Sequence, residues 1–202
     1  MRKLLLATTN EGKTRELCQL LNGVPFELVT PKQLGINIDI AEDMASYQEN
    51  ASIKAEAYAQ ASGLVSLADD SGLEVDALNG EPGIRSARYA GDKANDKDRI
   101  EYLLSRLEGV PPEKRRARFV CIIAIAVPGE KTIICQGNCH GSITTEPRGE
   151  NGFGYDPVFY LAELGKTMAE LSPEQKGQVS HRGQAARKAR HILEQLAEKV
   201  KT

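Results

Sequence analysis

Apolar positions along the chain recur with two different periods, and the switches between them mark the elements. Arg2 to Thr8 is a short apolar run that stops at Asn10-Glu11-Gly12, which predicts a strand followed by a turn. From Lys13 the residues Leu17, Leu20 and Leu21 recur at helical spacing, and Asn22-Gly23 closes that helix. Phe26 to Val29 and Ile36 to Ile40 read as short strands. Ser46-x-x-Glu49 is a capping-box pattern. It opens an alanine-rich helix through Ala61, with Ala51, Ala55 and Tyr58 on one face and Ser62-Gly63 as its stop. Leu64 to Ala68 predicts another apolar strand, ending at Asp69-Asp70-Ser71-Gly72.

Gly80, Pro82, Gly83 and Gly91 make residues 79–92 a long loop carrying Arg85, Arg88 and Tyr89. Ile100, Leu103, Leu104 and Leu107 mark a helix stopped by Gly109 and Pro111-Pro112. Phe119 to Val127 is almost continuously apolar, as in a central strand covered on both faces. Pro128-Gly129 then turns the chain into Lys131 to His140, a hairpin pattern. Gly149 to Pro157 is a second glycine-rich loop. A terminal helix begins near Gly183, with Ala186, Ala189, Leu193 and Leu196 as its buried stripe. Strands alternate with helices and no repeat or linker interrupts them. The expected architecture is one bilobed α/β domain over residues 1–202, with a mixed central sheet flanked by helices.

Charge narrows the class. The 26 Lys+Arg against 28 Asp+Glu give a formal net charge of −2, without the basic excess of a protein that binds nucleic-acid polymers or a membrane surface. The apolar run Leu4-Leu5-Leu6 is too short for a signal peptide, and no window approaches a membrane span. The 4 cysteines form no dense disulfide framework, which points to reduced thiols in a cytoplasmic protein. Cys135, Cys139 and His140 lack the second cysteine pair that would complete a zinc site.

Three stretches carry chemistry. Ala7-Thr-Thr-Asn-Glu-Gly12-Lys13-Thr14 fits a relaxed P-loop pattern with Ala7 in place of the first glycine. A strand–turn–helix junction presents unpaired N–H groups and a positive helix end, and Lys13 adds a full charge, so an anion site and an ordinary turn both fit. Glu42, before a capped helix, and Asp69-Asp70 supply carboxylate oxygens suited to Mg2+, while Asp-Asp-Ser-Gly also makes a common turn. Asn151-Gly-Phe-Gly-Tyr-Asp-Pro157 sets Phe153 and Tyr155 among glycines, either as base-stacking rings or folded back onto the core. Lys176, Ser180, His181 and Arg182 follow, with donors suited to a purine O6 or N7 or to a capped helix start.

Taken in order, these stretches resemble the inosine triphosphate pyrophosphatase family over nearly the whole chain. The resemblance rests on Thr8-Thr-Asn-Glu-Gly-Lys13, Glu49-Asn50-Ala51 with Lys54, and Ala68-Asp-Asp-Ser-Gly-Leu73. It continues through Pro82-Gly-Ile-Arg-Ser-Ala-Arg-Tyr89, Gly152-Phe-Gly-Tyr-Asp-Pro157 and Ser180-His-Arg182. It implies two lobes around a substrate cleft, a homodimer, and Mg2+-dependent hydrolysis of ITP, dITP and XTP to the monophosphate and pyrophosphate. By the same resemblance Thr8, Thr9, Asn10, Glu11, Gly12 and Lys13 hold the phosphates with Lys54 nearby. Glu42 and Asp70 bind the metal, Asp70 also activates water, and Ser71 contacts substrate. Phe153, Gly154, Tyr155, Asp156, Lys176, His181 and Arg182 form the base pocket. Two positions depart from the family's pattern: Thr9 stands where glycine is common, and Met44 replaces the glycine that usually follows Glu42. The rival readings are a P-loop-type phosphohydrolase releasing orthophosphate and a purine nucleotide sensor without catalysis.

Overall fold

A computed structural model describes residues 2–40 and 44–198. The elements in chain order are β1 (Arg2–Leu6), α1 (Glu11–Leu20), β2 (Phe26–Val29), α2 (Tyr47–Ser62), β3 (Val65–Val75) and α3 (Asp96–Arg106). They continue with β4 (Arg116–Ala126), β5 (Ile133–Ile143), β6 (Phe159–Leu161), β7 (Lys166–Thr167), α4 (Pro173–Val179) and α5 (His181–Glu198). The sheet has 7 strands in the order β2-β1-β3-β4-β5-β6-β7. It is mixed, since β1 runs parallel to β2 and β3 whereas β5, β6 and β7 pair antiparallel. No helix among the described residues is long and apolar enough to cross a membrane.

The chain divides into two compact units. One comprises Met1–Asp70, Cys121–Gly137 and Arg182–Thr202, the other Ser71–Val120 and Asn138–His181. In the first unit the strand period decides the layering. Leu4 and Leu6 of β1, with Ile123 and Ile125 of β4, pack against Leu17 of α1 and Ala185, Ala186, Ala189 and Leu193 of α5. The alternate residues Leu5, Ala7, Ile122 and Ala124 pack against Ala51, Ala55 and Tyr58 of α2. Successive side chains of a strand point to opposite faces, so these runs are apolar at every position because both faces are covered. The second unit has its own core, built on Leu73, Ile100, Leu103, Phe119, Val158, Phe159, Met168 and Leu171.

Several expectations change. Asp69-Asp70-Ser71-Gly72 does not end a strand; β3 runs through it to Val75. Leu73 and Val75 continue the buried pattern beyond Gly72, and the two carboxylates find partners on opposite faces, so neither has to reach a turn. Ile36 to Ile40 forms no strand: Ile36, Ile38 and Ile40 pack against the α2-side core in the expected alternation, but no ladder joins them to a neighbour. Residues 83–88 form a 3-10 turn inside the expected loop. The strands β6 and β7 and helix α4 carry no apolar period long enough to read; α4 is announced only by its capping box, Ser172 with Gln175, and by Pro173 at its first turn.

Candidate active site

Each unit gathers some of the expected residues. In the first, β1 delivers Thr8 to the start of α1. The Asn10 carboxamide caps that helix by accepting the Lys13 N–H at 3.0 Å, and the Thr8 hydroxyl accepts the Asn10 N–H at 3.2 Å. Thr9, Asn10 and Glu11 are exposed around this turn, while Gly12 is buried. The Lys13 ammonium reaches back to β3, where it lies 3.3 Å from the Asp69 main-chain oxygen and 3.3 Å from Asp69 Oδ2.

Asp69 and Asp70 are neighbours on a strand and therefore face opposite ways. Asp69 points to the α1 and α5 side. It is 0% exposed, and Oδ2 accepts from Arg182 Nε at 3.1 Å and Nη2 at 3.0 Å. Arg182 is itself only 2% exposed and spends its remaining arm, Nη1, on Glu16 at 2.7 Å. Burial pushes the Asp69 carboxyl upward, but the positive charges of Lys13, Arg182 and Lys54 outweigh it and hold the group well below the usual carboxylate range. Burial likewise works against the charged Arg182, and Asp69 and Glu16 more than reverse it. Asp69 is thus a buried counter-ion. It does not join Asp70 around one metal.

Asp70 points to the α2 side. Its Oδ2 accepts from the Asn50 carboxamide at 3.1 Å, and the Asn50 oxygen accepts the Met44 N–H at 3.1 Å. Lys54 lies one turn further along α2 and is also buried. Among the described residues no group of three or more His, Cys, Asp or Glu side chains is arranged to hold a metal ion. Glu42, the other expected metal ligand, lies outside the described residues. The donor chemistry nevertheless fits Mg2+: Asp70 is a buried carboxylate steered by a neutral amide, and Mg2+ takes one or two carboxylates plus waters and phosphate oxygens.

In the second unit the glycine-rich loop folds around Asp156. That carboxylate is buried, pairs with the buried Lys176 ammonium of α4, and accepts the Phe153 N–H at 2.9 Å. Gly152 is required beneath them. At φ +78°, a Cβ there would meet Asp156 Oδ2 at 2.0 Å. The Lys176 ammonium sits 5.0 Å from the Phe153 ring centroid. His181, at the start of α5, stacks on Phe119 of β4 with ring centroids 4.5 Å apart and an interplanar angle of 15°. Tyr155 turns inward, donating its hydroxyl to the Ser86 carbonyl at 2.9 Å, and burial pushes its phenol up. Ser71 is half-buried where β3 enters this unit.

The pattern of the Ham1 family matches residues 4–192. The chain belongs to the Ham1 family. A dITP/XTP pyrophosphatase from Geobacillus kaustophilus is 48% identical over 196 residues, spanning 97% of this chain and 96% of its own. The dITP/XTP pyrophosphatase from Bacillus subtilis is 43% identical over 194 residues, spanning 96% and 98%. Among solved structures, a HAM1 protein from Coxiella burnetii superposes with a TM-score of 0.86 at 42% identity, covering 96% of this chain and 98% of that one. The Staphylococcus aureus Ham1 protein gives 0.85 at 44% identity, with the same coverage.

This Ham1 chain therefore assembles the expected residues in two sets. Thr8 to Lys13, Lys54, Asp70 and Arg182 belong to the first unit; Ser71, Phe153 to Asp156, Lys176 and His181 belong to the second. Arg182, expected to donate to a base, has its guanidinium engaged by Asp69 and Glu16. Of the two loop aromatics, Tyr155 is part of the core and Phe153 keeps an exposed face. Sequence reasoning missed Glu16, Asn50, Ser86 and Phe119. Only Asn50 had a local signal, since it lies four residues before Lys54 and so on the same face of α2.

Proposed function

We propose that this chain hydrolyses dITP, ITP and XTP to the nucleoside monophosphate and pyrophosphate, clearing the nucleotide pool of non-standard purines. The observation that carries this reading is 43% and 48% identity over 96% and 97% of the chain to proteins named dITP/XTP pyrophosphatase. The α1 N-terminus and Lys13 attract and orient the phosphates, and Lys54 adds charge beside them. Asp70 and Glu42 would hold Mg2+, which would neutralise charge on the phosphate oxygens. Asp70, steered by Asn50, accepts a proton from the water whose oxygen attacks the α-phosphorus. The bond from that phosphorus to the bridging oxygen breaks, and pyrophosphate departs with the electron pair. Positioning and charge carry most of such a transfer.

Phe153 offers a stacking face, and Lys176 and His181 supply donors for a 6-oxo group. Adenine presents an amino group at that position and would leave a buried donor unpaired, a penalty of about 1–3 kcal/mol. The enzyme acts as a homodimer in the cytoplasm. The test is incubation with dITP, XTP, dGTP and ATP in the presence of Mg2+, with products resolved by chromatography. Monophosphate and pyrophosphate from dITP and XTP, with ATP left intact, are expected. Orthophosphate as the first product, or equal use of ATP, would refute the reading.

A further inference from the structure

The recognition loop carries glycines at 152 and 154, both at positive φ, +78° and +63°, so its backbone has little intrinsic order. Its central residue, Phe153, nevertheless has both flanking peptide planes pinned. The Phe153 N–H belongs to the plane before its Cα and donates to Asp156 at 2.9 Å. The Gly154 N–H belongs to the plane after it and donates at 2.7 Å to Asp96 Oδ2, on the first turn of α3. Since a peptide unit is rigid, fixing both planes fixes φ and ψ at Phe153 and hence the direction of the Cα–Cβ bond that carries its ring.

Asp96 is free for this task because α3 is capped without it. Asn95 and Asp98 satisfy each other in a reciprocal capping box, at 3.0 and 2.9 Å. The Asp96 carboxylate is in turn oriented by Arg99, whose Nη1 meets Oδ1 at 2.6 Å while Nη2 is tied to the Ala94 carbonyl at 2.6 Å. Arg99 therefore holds Asp96, Asp96 holds Gly154, and Gly154 sets one side of Phe153. A third tie lies next door: Tyr155 donates to the Ser86 carbonyl, and the Ser86 hydroxyl accepts the Leu73 N–H at 2.8 Å, which anchors the loop to β3.

We infer that Asp96, oriented by Arg99, is a positioning residue for base recognition, fixing the Phe153 ring through the Gly154 amide. This inference rests on the reading of Phe153 as the base-stacking ring. A charge-assisted hydrogen bond to a loop amide is strong enough that its loss should raise KM for dITP by about tenfold. The chemical step does not touch Asp96, so kcat should change by less than about twofold while discrimination between dITP and dATP falls.

The experiment compares Asp96→Ala, Asp96→Asn and, on the same turn of α3, the exposed control Lys97→Ala. Hydrogen exchange of the peptide covering residues 151–157 is measured in the ligand-free protein, and kcat and KM are measured with dITP and dATP. Faster exchange and a raised KM are expected for Asp96→Ala, with an intermediate effect for Asp96→Asn, which offers one acceptor oxygen to two donors, and no effect for Lys97→Ala. Unchanged exchange in a folded Asp96 variant would overturn the inference. Faster exchange with unchanged KM and discrimination would overturn the recognition role. If the wild-type protein fails to cleave dITP, the proposed function falls, whereas the exchange measurement still reads the Asp96 tie.

Discussion

Substituting Asp69→Asn keeps the side-chain volume and removes one charge from a site with no solvent to replace it. In the native chain Asp69 Oδ2 receives Arg182 Nε and Nη2 at 3.1 and 3.0 Å and lies 3.3 Å from the Lys13 ammonium. Arg182 is fully buried among these contacts, and it also pairs with Glu16 at 2.7 Å. Breaking a buried pair by neutralising one partner costs about 3–5 kcal/mol. For a domain of this size that lowers Tm by roughly 6–20 °C, at about 2–4 °C per kcal/mol. Scanning calorimetry reads it directly. In a double-mutant cycle with Arg182→Met, the combined loss should be smaller than the sum of the single losses, because the second substitution removes the charge that the first leaves stranded. Acid should reveal the same group. The folded carboxyl lies below its unfolded value, so its stabilisation is complete above about pH 4 and disappears as pH falls through the folded value. Asp69→Asn should lack that part of the acid slope. A Tm within about 2 °C of wild type, with an unchanged acid slope, would refute the counter-ion role.

Asn50→Ala should lower kcat by about 10- to 100-fold through loss of Asp70 orientation, with a modest change in Tm; unchanged kcat in steady-state assays would contradict the steering role. Gly152→Ala places a Cβ 2.0 Å from Asp156 Oδ2 and should raise KM for dITP while leaving the first unit's ion cluster folded, which activity and calorimetry together would show. Burial, with Asp69 adding to it, pushes the Cys121 thiol up to about 12, and burial, with Asp156 adding to it, pushes Cys139 up to about 11, whereas Cys18 is exposed. A thiol reagent at neutral pH should therefore modify Cys18 quickly and the buried thiols only on unfolding, and a fast-reacting Cys121 would contradict that.

What could be read from the sequence was what is decided locally. The β1–α1 junction, the capped start of α2 and the doubly covered β4 follow from period, caps and apolar runs, each within one stretch of chain. The fate of Asp69 could not be read that way. Asp-Asp-Ser-Gly is turn chemistry by composition, and it sits inside a strand because Arg182, 113 residues away, neutralises one carboxylate on one face. Asn50, 20 residues before Asp70, holds the other from the opposite face. The same holds for Arg182, which a motif can place beside a base but whose guanidinium is taken by Glu16, 166 residues earlier. Tyr155 and Phe153 look equivalent among their glycines, and the Ser86 carbonyl, 69 residues away from Tyr155, separates the core ring from the half-buried one.

Water attack at the α-phosphorus leaves a signature that isotopic labelling reads. Hydrolysis of dITP in oxygen-18 water, with the products analysed by mass spectrometry, reports which phosphorus accepted the water oxygen. Attack at the α-phosphorus places the label in the nucleoside monophosphate, with unlabelled pyrophosphate released. Label in pyrophosphate or in orthophosphate would mean attack at another phosphorus and would contradict it.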